Sequence, residues 1–599
     1  MQLRQFLVTA GICLVFAQSV YAQQAALTLP DAAEAGGALP QVTQPLLPHE
    51  KLKEEKKEEK KPPAEKKKEI LIPVKQFELL DIQVFPRLGI TKEKVNILLN
   101  GLQKKFLEKH NNKGVTLVEV HTIANTLTAY YRSAGLILAQ VYVPPQKINP
   151  AVGLVKLQLQ VGRVGRVLPE GNKFISSKAL IWPLRHLISQ PLQSNDLESG
   201  MLTVNSYPGY SGYSVLKKGD TPGTSDVIIK TEKNERASVT FGTDNNGSPL
   251  TGRGHNFERL SINNIFGAPD QLTGMYTRNT RPGRGHYGAI SYGRRIFDPN
   301  LEWGFSYSRN KYSLGREYDY LDFIGVSQTG DTFLKQTWIR QRETTASTKI
   351  SMTRSEARTE YYRVPYRRDN LTVLGLQAQY GHLWQQLRGY SDVTFSYDHG
   401  FNNFLGAMKG HFPSDSKIPS SRQGGSGRFA GGQFNKFGID MSYLQRLFTN
   451  QDLLFILSGQ YSRDLLVSLQ QFSLGGVNML RGFSASEYSM DKGLYESLTW
   501  VFPIPFVGDK TAFLGNTWGR IIKFSFFVEQ GNGWLNDPAT AQKSFVSLTD
   551  YGAGLELALP GHLLMRTQWA KPFGFSRLDP TDTKSSRVWF SLYYSLHLD

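Results

Sequence analysis

At the end of the chain, apolar side chains fall at every second position. Val588, Phe590, Leu592, Tyr594, Leu596 and Leu598 share one face; Arg587, Trp589, Ser591, Tyr593, Ser595, His597 and Asp599 share the other. The same alternation places Tyr551, Ala553, Leu555, Leu557 and Leu559 opposite Gly552, Gly554, Glu556 and Ala558, and returns at Leu563, Met565, Thr567 and Trp569. Period two with one lipid-compatible face predicts membrane-spanning strands, although a soluble β-sandwich would alternate in the same way. From Arg236 to Asp599 no helical pattern interrupts these segments. At about 20–25 residues per strand and turn, that length predicts about 14–18 strands.

Upstream the period changes. Phe77–Val84 reads as a strand and Thr91–Leu107 as a helix capped by Thr91. Thr116 and Glu119 form a capping box, and Leu117, Val120, Ala124, Leu127 and Tyr131 make one buried stripe that ends at Gly135. Strands Leu136–Val143 and Leu154–Val161 follow. The order then repeats: strand Gly165–Leu168, helix Ser176–Ile188 kinked at Pro183, a helix capped by Asn195 or Asp196 and running to about Val204, and strands Tyr210–Leu216 and Asp226–Thr231. A repeated β-α-α-β-β order predicts tandem α+β modules.

Composition adds the export route. Arg4, the apolar run Phe6–Ala17 and the small-residue site Val20-Tyr21-Ala22 read as a secretory signal peptide over residues 1–22. The single cysteine, Cys13, lies within it, so thiol catalysis, disulfides and cysteine metal sites are excluded from the mature chain. Residues 23–69 read as an N-terminal segment and linker. Its part His49–Glu69 holds nine Lys and seven Glu around Pro62-Pro63 and cannot build a core. No later apolar run is long enough for a helical span, which leaves strands as the way to cross a membrane. The formal charge of +18 is spread along an exported chain, which argues against nucleic acid and for a polar lumen and anionic lipid. Histidines show no metal spacing and no nucleophile motif stands out, so neither catalytic residue, metal nor cofactor is assigned.

The two modules resemble POTRA domains, the periplasmic units of outer-membrane transport pores. Tyr142-Val143-Pro144-Pro145-Gln146, then Gly153, then Val161-Gly162, resembles the first POTRA of two-partner secretion transporters, the haemolysin-activator, ShlB-like group. Asn195-Asp196-Leu197-Glu198, Pro208-Gly209 and Gly219–Asp226 resemble the second. Asp244-Asn245-Asn246-Gly247-Ser248, Gly252-Arg253, Gly267 and Asp270 are similar to that group's barrel start. The resemblance implies POTRA 1 over residues 70–163, POTRA 2 over 164–235 and an antiparallel transmembrane β-barrel of about 16 strands over 236–599. Met408–Gly432 reads as a long external loop.

One stretch stands out between two predicted strands. Residues 471–493 carry Gln471-Phe472-Ser473-Leu474-Gly475-Gly476, then Leu480-Arg481-Gly482-Phe483, then Asp491 and Gly493. This resembles the inward-folded lid loop of the same transporters, whose arginine meets an acid on the barrel wall in a Phe-x-Asp-x-Gly strand. Here Phe527-Val528-Glu529-Gln530-Gly531 stands in that place. Alternation puts Phe527, Glu529 and Gly531 on the lumenal face, with Glu in place of Asp, and the added methylene loosens or shifts the pairing. Arginine can grip a carboxylate bidentately. Such a pair is worth about 1 kcal/mol when wet. Removing one partner from a dry one costs roughly 3–5 kcal/mol. Gly482 permits φ > 0 or close approach.

The resemblance implies a pore in the outer membrane of a Gram-negative bacterium, POTRA domains in the periplasm. Its partners would be a large secreted exoprotein with an N-terminal secretion domain and outer-membrane lipids. Three other readings compete: an insertase of the same superfamily, which would carry more than two modules; a nutrient receptor, which would carry a plug domain and more strands; and an enzyme. The closing strand ends on Leu598-Asp599, so Phe590, Tyr593 and Tyr594 are the expected carriers of the assembly signal.

Overall fold

The computed structural model describes residues 71–280, 284–315, 319–320, 322–410, 418–448, 450–540, 542–574 and 585–598. The signal peptide (1–22), the segment and linker (23–69) and Asp599 lie outside the described residues. The chain divides into two compact units, one ending at Asn234 and one starting again at Glu235.

The N-terminal unit holds two modules of the same topology. In the first, Leu154–Val161 is the central strand, parallel to Gln76–Leu80 and antiparallel to Ala139–Tyr142. In the second, Thr224–Asn234 is central, parallel to Arg163–Glu170 and antiparallel to Tyr210–Lys218. Each sheet is covered by its own pair of helical segments. In the first these are Lys92–Lys109, whose N-cap Thr91 accepts the Lys94 amide, and Leu117–Ser133, which starts with the full Thr116/Glu119 capping box. Val120, Ile123, Ala124, Leu127 and Tyr131 face the sheet, but Leu117 is exposed; as the first helical residue it lies outside the stripe that the spacing assigned to it. In the second module the α-helix Ser177–Ile181 tightens into a 3₁₀ segment, Trp182–Leu187, where Pro183 cannot donate an amide. The next helix is Ser194–Val204. Its N-cap is Gln193, so Asn195 and Asp196 sit within the first turn and neither caps it.

From Ala237 sixteen antiparallel strands close into a barrel. They are β1 Ala237–Asp244, β2 His255–Asn263, β3 Asp270–Asn279, β4 Arg284–Arg295, β5 Leu301–Ser313, β6 Ile324–Arg340, β7 Thr344–Tyr361, β8 Val364–Trp384, β9 Gly389–Gly400, β10 Phe434–Arg446, β11 Asp452–Ser462, β12 Lys492–Pro503, β13 Ile522–Trp534, β14 Phe545–Leu559, β15 Leu563–Phe573 and β16 Arg587–Leu598. Alternation decides the faces. On β16, Val588, Tyr594, Leu596 and Leu598 are exposed, while Trp589, Ser591, Tyr593 and Ser595 are buried inside. Tyr593 therefore points inward, unlike Tyr594.

The seam between last and first strand is fully paired. Eight residues of β1 match Ser591–Leu598 in register. The ladder extends through Arg236 N donating to Leu598 O at 2.9 Å and Asn245 N to Phe590 O at 3.1 Å. An even strand count returns the end of β16 to the side where the chain enters. Connections from even to odd strands lie on that side, and connections from odd to even strands, including the described parts of 401–433, 463–491 and 535–544, lie on the other.

Candidate functional site

The connection 463–491 between β11 and β12 folds onto the inner wall instead of projecting outward. It is built as a short hairpin, Phe472–Leu474 paired with Tyr488–Met490, with a tip near residue 481. Phe472, Leu474, Leu480, Phe483 and Met490 pack with Tyr495, Val546 and Leu548 of β12 and β14 in one buried apolar cluster. Burial of these side chains holds the segment against the wall; each fully buried residue of this size contributes about 1.5–3 kcal/mol.

Glycines on the wall make room for it. A Cβ on Gly531 would come within 2.5 Å of Leu480 Cδ1, and one on Gly493 within 2.0 Å of the Phe472 ring. Gly482 serves the tip by close approach: a Cβ there would meet Asp550 Cβ at 2.7 Å. It is absent from the positive-φ residues, whereas Gly475 and Gly476 both have φ of +106°.

Polar contacts gather at Arg481. Its Nη2 lies 3.3 Å from Glu529 Oε1, and the guanidinium carbon sits 3.9 Å from the Phe527 ring centroid. Its own backbone N donates to Glu529 Oε2 at 2.7 Å. Glu529 also accepts from Tyr495 OH at 2.6 Å and, more weakly, from Ser497 Oγ at 3.4 Å. The side chains thus meet through one nitrogen, not bidentately. The second carboxylate oxygen takes the backbone amide instead, within reach of the longer glutamate. Asp550, the cross-strand partner of Glu529 in register, accepts Gly482 N at 2.8 Å. From the closing strand, Trp589 Nε1 donates to Arg481 O at 2.6 Å and Arg587 Nε to Gly482 O at 3.1 Å.

A second knot ties the base of the segment to its neighbours. Asp491, fully buried, accepts Leu466 N at 3.1 Å, Gln471 Nε2 at 3.2 Å, Asn536 N at 2.7 Å and Arg422 Nη2 at 3.1 Å. Arg422 is itself buried and also donates to Asn536 O at 2.8 Å. Three connections on the same side, 401–433, 463–491 and 535–544, meet at this one carboxylate.

The structure thus brings Leu480, Arg481, Gly482 and Phe483 against Phe527, Glu529 and Gly531, with Gly475, Gly476, Asp491 and Gly493 shaping the segment. Sequence reasoning missed Asp550, Tyr495, Trp589, Arg587, Arg422 and Asn536. Inward alternation on β12, β14 and β16 could have flagged Tyr495, Asp550, Arg587 and Trp589; no local pattern marks Arg422 or Asn536.

The module motif residues lie apart from this site. Tyr142 ends the edge strand and is partly exposed, with Pro144 and Pro145 following after Val143. The Gln146 amide donates to Lys156 O at 2.8 Å and accepts Lys156 N at 2.9 Å, standing in for a neighbouring strand beyond the end of Ala139–Tyr142. Gly153 has φ of +64°, and its carbonyl accepts both Lys75 N and Gln76 N. In the same unit the capping carboxylate of Glu119 is held well below its ordinary 4.5, at about 2. Burial alone would raise it, but hydrogen bonds from Lys109, the Thr116 amide and His110 outweigh that.

Comparison with known proteins agrees with this architecture. The family model described as haemolysin secretion/activation protein ShlB/FhaC/HecB matches residues 223–550, and that of the ShlB-type POTRA domain matches residues 89–162. The heme/hemopexin transporter protein HuxB of Haemophilus influenzae is 25% identical over 508 residues, covering 83% of this chain and 84% of that protein. The outer membrane transporter CdiB of Dickeya dadantii is 24% identical over 420 residues, covering 68% and 70%. The solved structure of CdiB from Escherichia coli superposes with a TM-score of 0.66 at 17% identity, over 90% of this chain and 93% of that one, a likeness of fold.

Proposed function

The chain belongs to the haemolysin secretion/activation family ShlB/FhaC/HecB, and on that footing we propose that it is an outer-membrane pore of the two-partner secretion class. In this reading it takes up a large exoprotein in the periplasm and passes it unfolded to the cell surface. The observation that carries the reading is the pairing of two β-α-α-β-β modules with a closed sixteen-strand barrel that holds a folded connection inside.

Residues 463–491 act as the lid; the expected 471–493 overran into β12, to which Lys492 and Gly493 belong. Arg481 and Gly482 are its anchor points, and Glu529 and Asp550 are the wall groups that hold them. The exoprotein's N-terminal secretion domain docks on the modules by β-augmentation, for which Gln76–Leu80, an edge strand of its sheet, is the candidate, with the Gln103 amide that caps the Phe77 N–H giving way to the incoming strand. No catalytic residue or cofactor has a role. Export draws on the folding of the cargo outside, since the periplasm supplies no nucleotide.

Two features support this over the insertase reading: only two modules among the described residues, and a seam paired along eight residues. The test is deletion of the gene, followed by an inventory of large proteins in the medium and of barrels in the outer membrane. Loss of one large exported protein, restored by the intact chain, is the expected result. A general loss of outer-membrane barrels with secretion unchanged would overturn it.

A further inference from the structure

The connection between β12 and β13, residues 504–521, is unlike the others on the side where the chain enters. It has eighteen residues where the remaining even-to-odd connections have three to six. It is also an ordered structure. Lys510 N donates to Val507 O at 3.0 Å, Ala512 N to Asn516 O at 2.7 Å, Trp518 N to Lys510 O at 3.1 Å and Gly519 N to Gly508 O at 2.8 Å. The Phe513 and Trp518 rings stack edge to face at 4.9 Å.

Three of the loop's apolar side chains turn outward. Phe506 is fully exposed, Leu514 is 78% exposed and Phe513 54%. Phe506 and Leu514 also occupy left-handed backbone positions, with φ of 63° and 54°. Such conformations cost least for glycine or asparagine. A loop shaped only by turn geometry would place small or polar residues there; this one keeps two bulky apolar residues in strained positions and in the open.

The patch is continuous with a surface already assigned to lipid. At the foot of β12 and β13 the outward rings of Trp500, Phe502, Phe524 and Phe526 stack on one another with centroids 4.8–6.2 Å apart. Phe448, 74% exposed, lies in the adjoining β10–β11 turn, which Asn450 Nδ2 ties to Asp509 at 3.4 Å. Exposed Lys510 and Arg520 lie in the same loop, against the single acid Asp509. Apolar residues with flanking cations match the boundary between acyl chains and anionic head groups.

We propose that residues 504–521 are an interfacial docking surface for phospholipid, seated in the head-group region of the leaflet facing the chain's entry side. Phe506, Phe513, Leu514 and Trp518 enter the acyl boundary, while Lys510 and Arg520 meet phosphates. The loop fixes the depth of the hairpin β12–β13, which carries Glu529.

The test uses the full chain with Cys13→Ser and single cysteines at Phe506, Leu514 or, as control, Lys147 in the N-terminal unit. Each carries an environment-sensitive fluorophore and is reconstituted into phosphatidylethanolamine/phosphatidylglycerol vesicles, with heat-modifiable gel mobility reporting the folded barrel. Nitroxide phospholipids labelled near the head group should quench positions 506 and 514 severalfold more than 147, and iodide should quench them severalfold less. Iodide quenching equal to that at 147 would put the loop in water and overturn the proposal. Shielding from iodide without nitroxide quenching would mean the loop is covered by protein, and would overturn it equally. If either single variant fails to insert, Asp509→Cys on the same loop gives the same readout.

Discussion

Replacing Glu529 is the most direct test of the proposed lid. The carboxylate accepts Arg481 N, Tyr495 OH and Arg481 Nη2 inside an almost fully buried site. Glu529→Ala leaves a guanidinium, an amide and a phenol buried without that acceptor. Breaking a buried ion pair from one side costs about 3–5 kcal/mol. At 1.36 kcal/mol per decade, the ratio of open to closed pores should rise between about a hundredfold and several thousandfold. Glu529→Gln keeps an acceptor oxygen and loses only the charge, so its cost of about 1–3 kcal/mol should raise the ratio between about fivefold and about 160-fold. The assay is single-channel recording in planar bilayers, with heat-modifiable mobility as the check on barrel folding. Secretion should fall in both variants, because cargo then meets a lid with no defined seat, and Arg481→Ala should act in the same direction. A Glu529→Ala channel that is folded, stays closed as the parent does and secretes normally would refute the anchor.

Other consequences can be checked separately. Arg422→Ala or Asp491→Asn should loosen the three connections that meet at Asp491, at a cost of about 3–5 kcal/mol for the unpaired charge. The readout is faster cleavage within residues 418–433 by protease added outside, and unchanged cleavage would contradict the knot. Gly482→Ala forces a methyl to within 2.7 Å of Asp550 Cβ, so the tip should unseat and channel openings increase with Glu529 intact. Thr240 Oγ1 and Ser595 Oγ lie 3.0 Å apart across the seam, so paired cysteines there should cross-link. Secretion should survive the cross-link, whereas reversible loss under oxidation would favour lateral opening. Glu119, depressed from 4.5 to about 2, stabilises the first module fully above pH 4.5 and loses that contribution as pH falls towards 2, up to about 3 kcal/mol. Protection factors of Leu117–Ser133, corrected for the intrinsic pH dependence of amide exchange, should therefore fall on acidification in the parent and much less in Glu119→Gln.

Local signals were readable in the sequence, and long-range ones were readable only in part. The Thr116/Glu119 box and the alternation on β16 are patterns within a few residues, and both elements form where the pattern puts them. Boundaries shifted where one residue broke the period. The strand expected over Phe77–Val84 stops at Leu80 because Asp81 turns to φ of 54°. Leu117 follows the helical spacing yet starts the helix, where no neighbouring element covers it. At the site, alternation puts Glu529 on the inner face, but its company depends on register between strands. Asp550 lies opposite it only because β13 and β14 pair at that offset. Arg422 meets Asp491 from a connection 69 residues away, in a stretch with no periodicity to read.

The closing strand has a consequence for assembly. Trp589 and Arg587, which hold the carbonyls of Arg481 and Gly482, belong to β16, the last strand to be synthesised and the one that completes the wall. The tip, Leu480–Phe483, precedes all of its wall partners in the chain: Tyr495 on β12, Glu529 on β13, Asp550 on β14, and Arg587 and Trp589 on β16. The strand that closes the wall is thus also the one that supplies two of the tip's contacts. On the proposed lid reading, the pore would be shut as soon as its wall is complete, before it works as an exporter.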